Sequence, residues 1–283
     1  MSAAAPWPRV GAFSYDFERG ELDALIDGFR RHGLTAVQLG RGLLDEALDD
    51  PARIAPMRAA LAANGIEVVG LAGYRNLVAV DANVRREGIA FLRRCLEVAA
   101  EFGQPVVATE TGTRNAASDW QSDPANASDE TWALLDEALG ELLVVAERHG
   151  AILALEGYVN NVLATADQLA ALLERFPSPH LAVVLDPFNY LSRDLLPEKE
   201  RFVSGFLDRF ADRFVIAHLK DVSAEGAESA TPEFGQGVFP HRVYLDFLRT
   251  RRPDLPIILE HLPFAHVPAA IRLIHAIAGE MPA

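Results

Sequence analysis

The feature of this sequence that most restricts its fold is an eightfold recurrence of short apolar runs, each followed by a longer amphipathic stretch. The runs begin near Arg9, Ala36, Glu67, Val106, Ile152, Ala182, Val215 and Ile257, and successive starts lie 27 to 46 residues apart. A strand, a crossover helix and their two loops need about 30 residues, so each interval has room for one βα unit. The runs are continuous rather than alternating, as in Ile152-Leu-Ala-Leu155 and Ala182-Val-Val-Leu185. That pattern belongs to parallel strands covered on both faces.

The intervening stretches carry helix punctuation. Asp50-Pro51 reads as an N-cap and first-turn proline for a helix that Gly65 closes. Thr165 and Gln168 form a capping box opening a helix that runs to about Phe176, and Ser128 caps a long helix ending near His149. Gly33, Gly65, Gly103 and Gly150 each stand just before a strand, where a helix terminates in the left-handed region. No Pro/Ser-rich linker divides the chain. The prediction is one closed (β/α)8 barrel over residues 1–283, with a doubly wound open sheet as the structural alternative.

Charge and cysteine content limit the partners. The 40 acidic residues outnumber 26 lysines and arginines, for a net charge of −14. Such a chain repels polyphosphate, so nucleic acid and anionic membranes are not expected partners. The single cysteine, Cys95, has no internal disulfide partner, which fits a reducing compartment. The first ten residues lack a basic segment followed by an apolar one, and no apolar stretch approaches the roughly 18–20 residues of a membrane span. A cytoplasmic protein is expected.

In a barrel of this kind, functional groups sit where strands end. The fifth run ends in Glu156, the sixth in Asp186 and the eighth in Glu260, followed by His261; the seventh contains His218 and Lys220. Singly, each is an ordinary cap, loop or core residue. Together they deliver three carboxylates and an imidazole to one rim. Ionised carboxylates crowded in a partly dry pocket repel one another unless a cation sits among them. A donor set of three oxygens and one nitrogen suits one divalent metal ion, Mn2+ first, with Mg2+ and Co2+ close behind and Zn2+ and Fe2+ still open. Lys220, two residues after His218 on the same strand face, is a candidate to steady negative charge, or else forms a salt bridge with Asp221 or a strand-end carboxylate. Glu110, at the end of the fourth run, is a candidate hydroxyl or ligand-orienting contact. Asn189, Arg75, Asn76 and His261 are candidate substrate-binding residues, and Trp7, Phe13, Tyr158 and Phe188 candidate apolar wall.

Several motifs carry a family resemblance: Leu155-Glu156-Gly157, Leu185-Asp186-Pro187-Phe188-Asn189, His218-Leu-Lys220-Asp221 with Gly235-Gln-Gly237 after it, and Leu259-Glu260. With these, the chain from Val10 to Leu273 resembles the xylose isomerase-like TIM barrel family, the sugar phosphate isomerase/epimerase superfamily. That group includes ketose 3-epimerases, inosose dehydratases and abasic-site endonucleases. The resemblance implies a single metal bound by Glu156, Asp186, His218 and Glu260, with Glu156 and Glu260 also serving as acid and base. It also implies a homodimer or homotetramer. Gly73-Tyr-Arg-Asn76 and Thr109-Glu-Thr-Gly-Thr113 are similar to a subgroup. Two positions depart from the usual pattern: Asn189 stands where ketose epimerases carry histidine, and Gln38 where an acid is common late in the second strand.

The expected activity is metal-dependent isomerisation or epimerisation of a keto-sugar or cyclitol by proton abstraction through an enediolate. The alternative is a lyase or dehydratase acting on a keto-sugar, keto-glycoside or inosose at the same site. An endonuclease would need further rim histidines and a basic groove, and a silent sugar sensor has no use for paired glutamates. Gly235-Gln-Gly237 is expected to close over the site. No phosphate cradle is evident, so a non-phosphorylated substrate is favoured.

Overall fold

The structure is a computed structural model that describes residues 7–16, 21–103 and 106–279. The first six residues, on which the signal-sequence reading partly rests, lie outside the described residues. Eight strands form: β1 (Val10–Phe13), β2 (Ala36–Leu39), β3 (Glu67–Ala72), β4 (Val106–Glu110), β5 (Ile152–Glu156), β6 (Leu181–Leu185), β7 (Phe214–Leu219) and β8 (Ile257–Leu259). They pair in sequence order, and β8 closes on β1 through Val10–Ile257, Gly11–Ile258 and Ala12–Leu259. All pairings are parallel, and the closure of β8 on β1 excludes the open-sheet alternative. Each expected strand start lies within one residue of the observed one.

Nine helices wrap the barrel among the described residues: α1 (Leu22–His32), α2 (Leu43–Asp49), α3 (Ile54–Ala63), α4 (Ala82–Val98), α5 (Asp129–His149), α6 (Ala166–Arg175), α7 (Lys199–Phe210), α8 (His241–Arg251) and α9 (Val267–Ile277). The helix termini follow local chemistry. The Thr165 hydroxyl accepts from the Gln168 amide while Gln168 reaches back to the Thr165 amide, completing the capping box. Ser128 accepts from Thr131 N at the start of α5, and Gly150 (φ 65°) closes that helix. Asp50 has a narrower role than expected. It caps a separate 3-10 turn, Pro51–Arg53, whose end merges into α3. None of these helices is long and apolar enough to cross a membrane.

Two apolar layers result. One lies between strands and helices, with Phe29, Leu61, Leu92, Leu139 and Leu248 fully buried. The other fills the barrel interior with Phe13, Ala36, Ala108, Ala154, Ala182, Val184, Ile216 and Ile258. Side chains alternate along a strand with period two, so the next inward position along each strand can be read directly. After Ala36 comes Gln38; after Ala108, Glu110; after Ala154, Glu156. Likewise Val184 leads to Asp186, Ile216 to His218 and Lys220, and Ile258 to Glu260. The polar site is therefore the upper layer of the barrel's own filling.

Close approach of β1 and β2 depends on Gly11. A Cβ at that position would lie 1.7 Å from the Ala36 carbonyl oxygen, which is backbone and cannot swing aside. Gly11→Ala is expected to lower stability by at least about 1–3 kcal/mol in urea unfolding. A variant as stable as wild type would contradict this account of the strand packing.

Candidate active site and metal centre

The strand-end residues converge. His218 is fully buried, and its Nδ1 lies 3.4 Å from Glu156 Oε2, 3.5 Å from Asp186 Oδ2 and 3.6 Å from Glu260 Oε2. One ligand atom from each of the four residues lies within 4.8 Å of the others. His218 Nδ1 itself has no hydrogen-bond partner. A buried nitrogen without a partner, facing three carboxylate oxygens, fits a shared cation among them.

The other face of the imidazole is fixed. His218 Nε2 lies 3.0 Å from Gln38 Oε1. An amide oxygen can only accept, so Nε2 carries a proton and Nδ1 is the nitrogen left facing the carboxylates. The Gln38 amide nitrogen lies 3.4 Å from the Tyr74 hydroxyl, which donates to Glu156 Oε2 at 2.7 Å. Asn189 donates to the other oxygen, Glu156 Oε1, at 2.7 Å. Both departures from the resembled pattern thus lie in the network that orients Glu156 and His218. Sequence reasoning assigned no role to Tyr74 and noted Gln38 only as a departure. The available signal was the period-two inward face, which runs from Ala36 to Gln38 and from Ala72 to Tyr74.

Lys220 forms the strand-end salt bridge: its Nζ donates to Asp186 Oδ2 at 2.7 Å and Glu260 Oε2 at 2.6 Å. Asp221 is not its partner. The Asp221 carboxylate accepts from the backbone amides of Val222, Gly235, Gly237 and Phe239. Gly235 and Gly237 therefore fold onto Asp221, and neither borders the cavity, contrary to the expectation that this turn closes over the site.

Burial and charge set the ionisation. Burial disfavours the ionised form of Asp186, but the Lys220 ammonium and His218 hold its carboxyl well below the usual range. Glu260 is lowered in the same way, by Lys220 and then His218, against its burial. Burial pushes the Glu156 carboxyl up, and it pushes Glu110 well up, helped by the Glu156 charge. Burial opposes a charged imidazole, yet Glu156 and Glu260 outweigh it and raise His218 from 6.5 to about 10.

A cavity of about 550 Å3 opens above the cluster, bordered by Glu110, Glu156, Asn189, Lys220, Glu260 and His261 among others. His261 has a left-handed backbone (φ 51°) immediately after Glu260, and burial lowers its pKa. Other expected contacts are engaged elsewhere. Arg75 borders the cavity, but its guanidinium lies 3.6 Å from the Phe91 ring centroid on α4 and donates to Tyr74 O. Asn76 also borders the cavity, and its amide donates to Thr113 O and Asp119 Oδ1 while its oxygen accepts from Val78 N, so it holds loops together. Phe188, which borders the cavity, stacks on Phe239 at 3.7 Å. Phe13 meets the His218 ring edge-on at 5.4 Å. Trp7 precedes β1, at the end of the barrel away from the cluster, and does not border the cavity.

Three outcomes follow from this geometry. The protonated His218 stabilises the metal-free protein fully below about pH 6.5, and that contribution disappears as pH rises toward 10. A cation at Nδ1 replaces the proton, so titration calorimetry at pH 7 in buffers of different ionisation enthalpy is expected to register release of about one proton. Zero release would remove Nδ1 from the ligand set. Gln38→Leu is expected to weaken divalent-cation affinity by about 10- to 100-fold, since it frees the imidazole ring; unchanged affinity would deny Gln38 its orienting role.

Solved structures of the same fold are numerous. The 3-keto-D-glucoside 4-epimerase of E. coli superposes with a TM-score of 0.73 at 16% identity, covering 95% of this chain and 99% of that one. A probable 3-DHS dehydratase of Bacillus anthracis superposes with a TM-score of 0.73 at 13% identity, covering 94% and 98%. An IOLI protein with a bound zinc atom superposes with a TM-score of 0.68 at 15% identity, covering 97% and 99%. No curated protein matches the chain. The family model of the xylose isomerase-like TIM barrel matches residues 26–275, and the chain belongs to that family.

Proposed function

We propose that this protein is a divalent-metal-dependent isomerase or epimerase of a keto-sugar or cyclitol. The observation that carries the reading is the buried His218 Nδ1, without a hydrogen bond, facing three carboxylate oxygens at the floor of a substrate-sized cavity. Glu156, Asp186, His218 and Glu260 would hold the cation, and the mixed oxygen and nitrogen set favours Mn2+. The zinc atom of one structural neighbour supports a metal in a barrel of this fold without fixing which one. When bound, such a cation supplies Lewis acidity, polarising a substrate carbonyl and stabilising negative charge on its oxygen.

The chain's own groups then move the proton. Glu156 and Glu260 come from β5 and the end of β8, strands separated by β6 and β7 around the barrel, and both border the cavity. They can therefore reach a sugar carbon from two sides. One takes the proton next to the carbonyl and the other returns one. Return to the opposite face of the same carbon gives an epimer; return to the neighbouring carbon gives an isomer. Tyr74 and Asn189 hold both oxygens of Glu156, limiting its rotation while the proton moves. Lys220 stands between Asp186 and Glu260 and keeps positive charge beside the base.

A lyase reading uses the same groups with one addition. Glu110 borders the cavity, and burial together with the Glu156 charge favours the protonated form of its carboxyl. That acid is suited to protonating a leaving hydroxyl or alkoxide. The probable dehydratase among the structural neighbours supports this second possibility.

Solvent exchange tests the reading. With Mn2+ and a panel of ketoses, keto-glycosides and inososes in D2O, wild type is expected to place deuterium at the carbon beside the carbonyl. Glu156→Gln and Glu260→Gln are each expected to reduce that rate by about 10^2- to 10^4-fold. Exchange at wild-type rate in either variant removes that residue from the acid–base role. Product identity then separates epimer, isomer and elimination.

A further inference from the structure

The cavity is larger than one sugar requires. Its volume of about 550 Å3 lies within the range of roughly 300–1,000 Å3 that holds drug-sized ligands. A hexose, with about a dozen non-hydrogen atoms, leaves a large part of such a space unfilled. At the rim stands Trp120, 62% exposed and bordering the cavity. An indole in that position adds little to the core, and its apolar face remains in contact with water.

The loop carrying Trp120, between β4 and α5, is tightly wired. Thr113 donates to Gln121 O at 2.9 Å, and Asn115 Nδ2 donates to Ser122 O at 3.1 Å. The Trp120 amide donates to Ser118 Oγ at 3.2 Å, and the Trp120 carbonyl accepts from Asn160 at 2.9 Å. The indole also meets the Tyr158 ring edge-on, with centroids 6.5 Å apart. These bonds hold the backbone that carries the indole, so little loop entropy remains to be lost on binding. The loop after β7 brings Ser229 and Thr231 to the same cavity, along with Ser223, whose hydroxyl donates to Gly226 O. A flat apolar face with hydroxyl groups nearby matches a pyranose ring, which has an apolar CH face and an equatorial belt of hydroxyls.

We propose that Trp120 forms a second sugar subsite, so that the substrate is a keto-glycoside of at least two rings. The ketone-bearing ring lies at Glu156 and Glu260, and the second pyranose stacks on the indole. The inference rests on the reading of the strand-end cluster as an enolising site, but its test does not require proton transfer.

Titration calorimetry on the Mn2+-loaded protein would compare methyl β-D-glucopyranoside, phenyl β-D-glucopyranoside, cellobiose and maltose as unreactive probes. At least one disaccharide is expected to bind about five- to tenfold tighter than the methyl glycoside. Trp120→Ala is expected to bring that ratio close to one, and Trp120→Phe to keep most of it. Equal affinities in wild type, or a ratio that survives Trp120→Ala, would overturn the subsite. Phenyl glycoside binding tighter than both disaccharides would overturn its assignment to a sugar. A ring preference that is present and sensitive to Trp120, in a protein that exchanges no deuterium, upholds the subsite and counts against enolisation. Exchange without ring preference does the reverse.

Discussion

The site depends on the mutual repulsion of three carboxylates brought to one end of a barrel. Glu156, Asp186 and Glu260 are drawn from strands that parallel pairing forces into neighbouring positions, and each is held near a fully buried imidazole. In water such charges would simply separate. Here the backbone fixes them, so positive charge must come to them. The metal-free protein meets that demand with the Lys220 ammonium and a protonated His218. Both are held charged against burial by the carboxylates around them. A divalent cation would meet the same demand with one ion, in competition with Lys220 for Asp186 and Glu260 and with the proton on His218.

The same constraint explains the surrounding network. A buried polar group without a partner destabilises the fold, and nearly every oxygen and nitrogen around the cluster has one. Gln38 holds His218 and contacts Tyr74, Tyr74 holds Glu156, and Asn189 holds the remaining Glu156 oxygen. The Tyr244 hydroxyl donates to the His218 carbonyl from the outer helix layer. The Tyr190 hydroxyl and His218 Nδ1 are buried without a hydrogen-bond partner. Of these two, His218 Nδ1 faces the three carboxylates, where the chemistry would place a cation.

Much of this was legible in the sequence, for physical reasons. Parallel strands buried on both faces are continuous apolar runs, so eight of them could be located to within a residue. Their inward ends could be read because side chains alternate, which is how Glu156, Asp186, His218, Lys220 and Glu260 were found together. The partners of these residues were harder to see. Gln38 and His218 are 180 positions apart, and Tyr74 and Glu156 are 82 apart. No local pattern encodes such pairings; only the closed barrel brings them into contact. Loop residues are less legible for a related reason. Arg75 and Asn76 follow a strand and carry hydrogen-bonding groups, yet α4 and the loop after β4 take up those groups before the cavity does. Gly235 and Gly237 read as a flap, but the Asp221 carboxylate gathers their amides.

The central claim is that one cation sits among Glu156, Asp186, His218 and Glu260. An anomalous scattering map from crystals grown with Mn2+, recorded near the manganese absorption edge, tests it most directly. The account predicts a single strong peak between the four donor atoms, with Lys220 drawn away from at least one of its two carboxylates. A map with no peak there, and Lys220 still bridging Asp186 and Glu260, would contradict it.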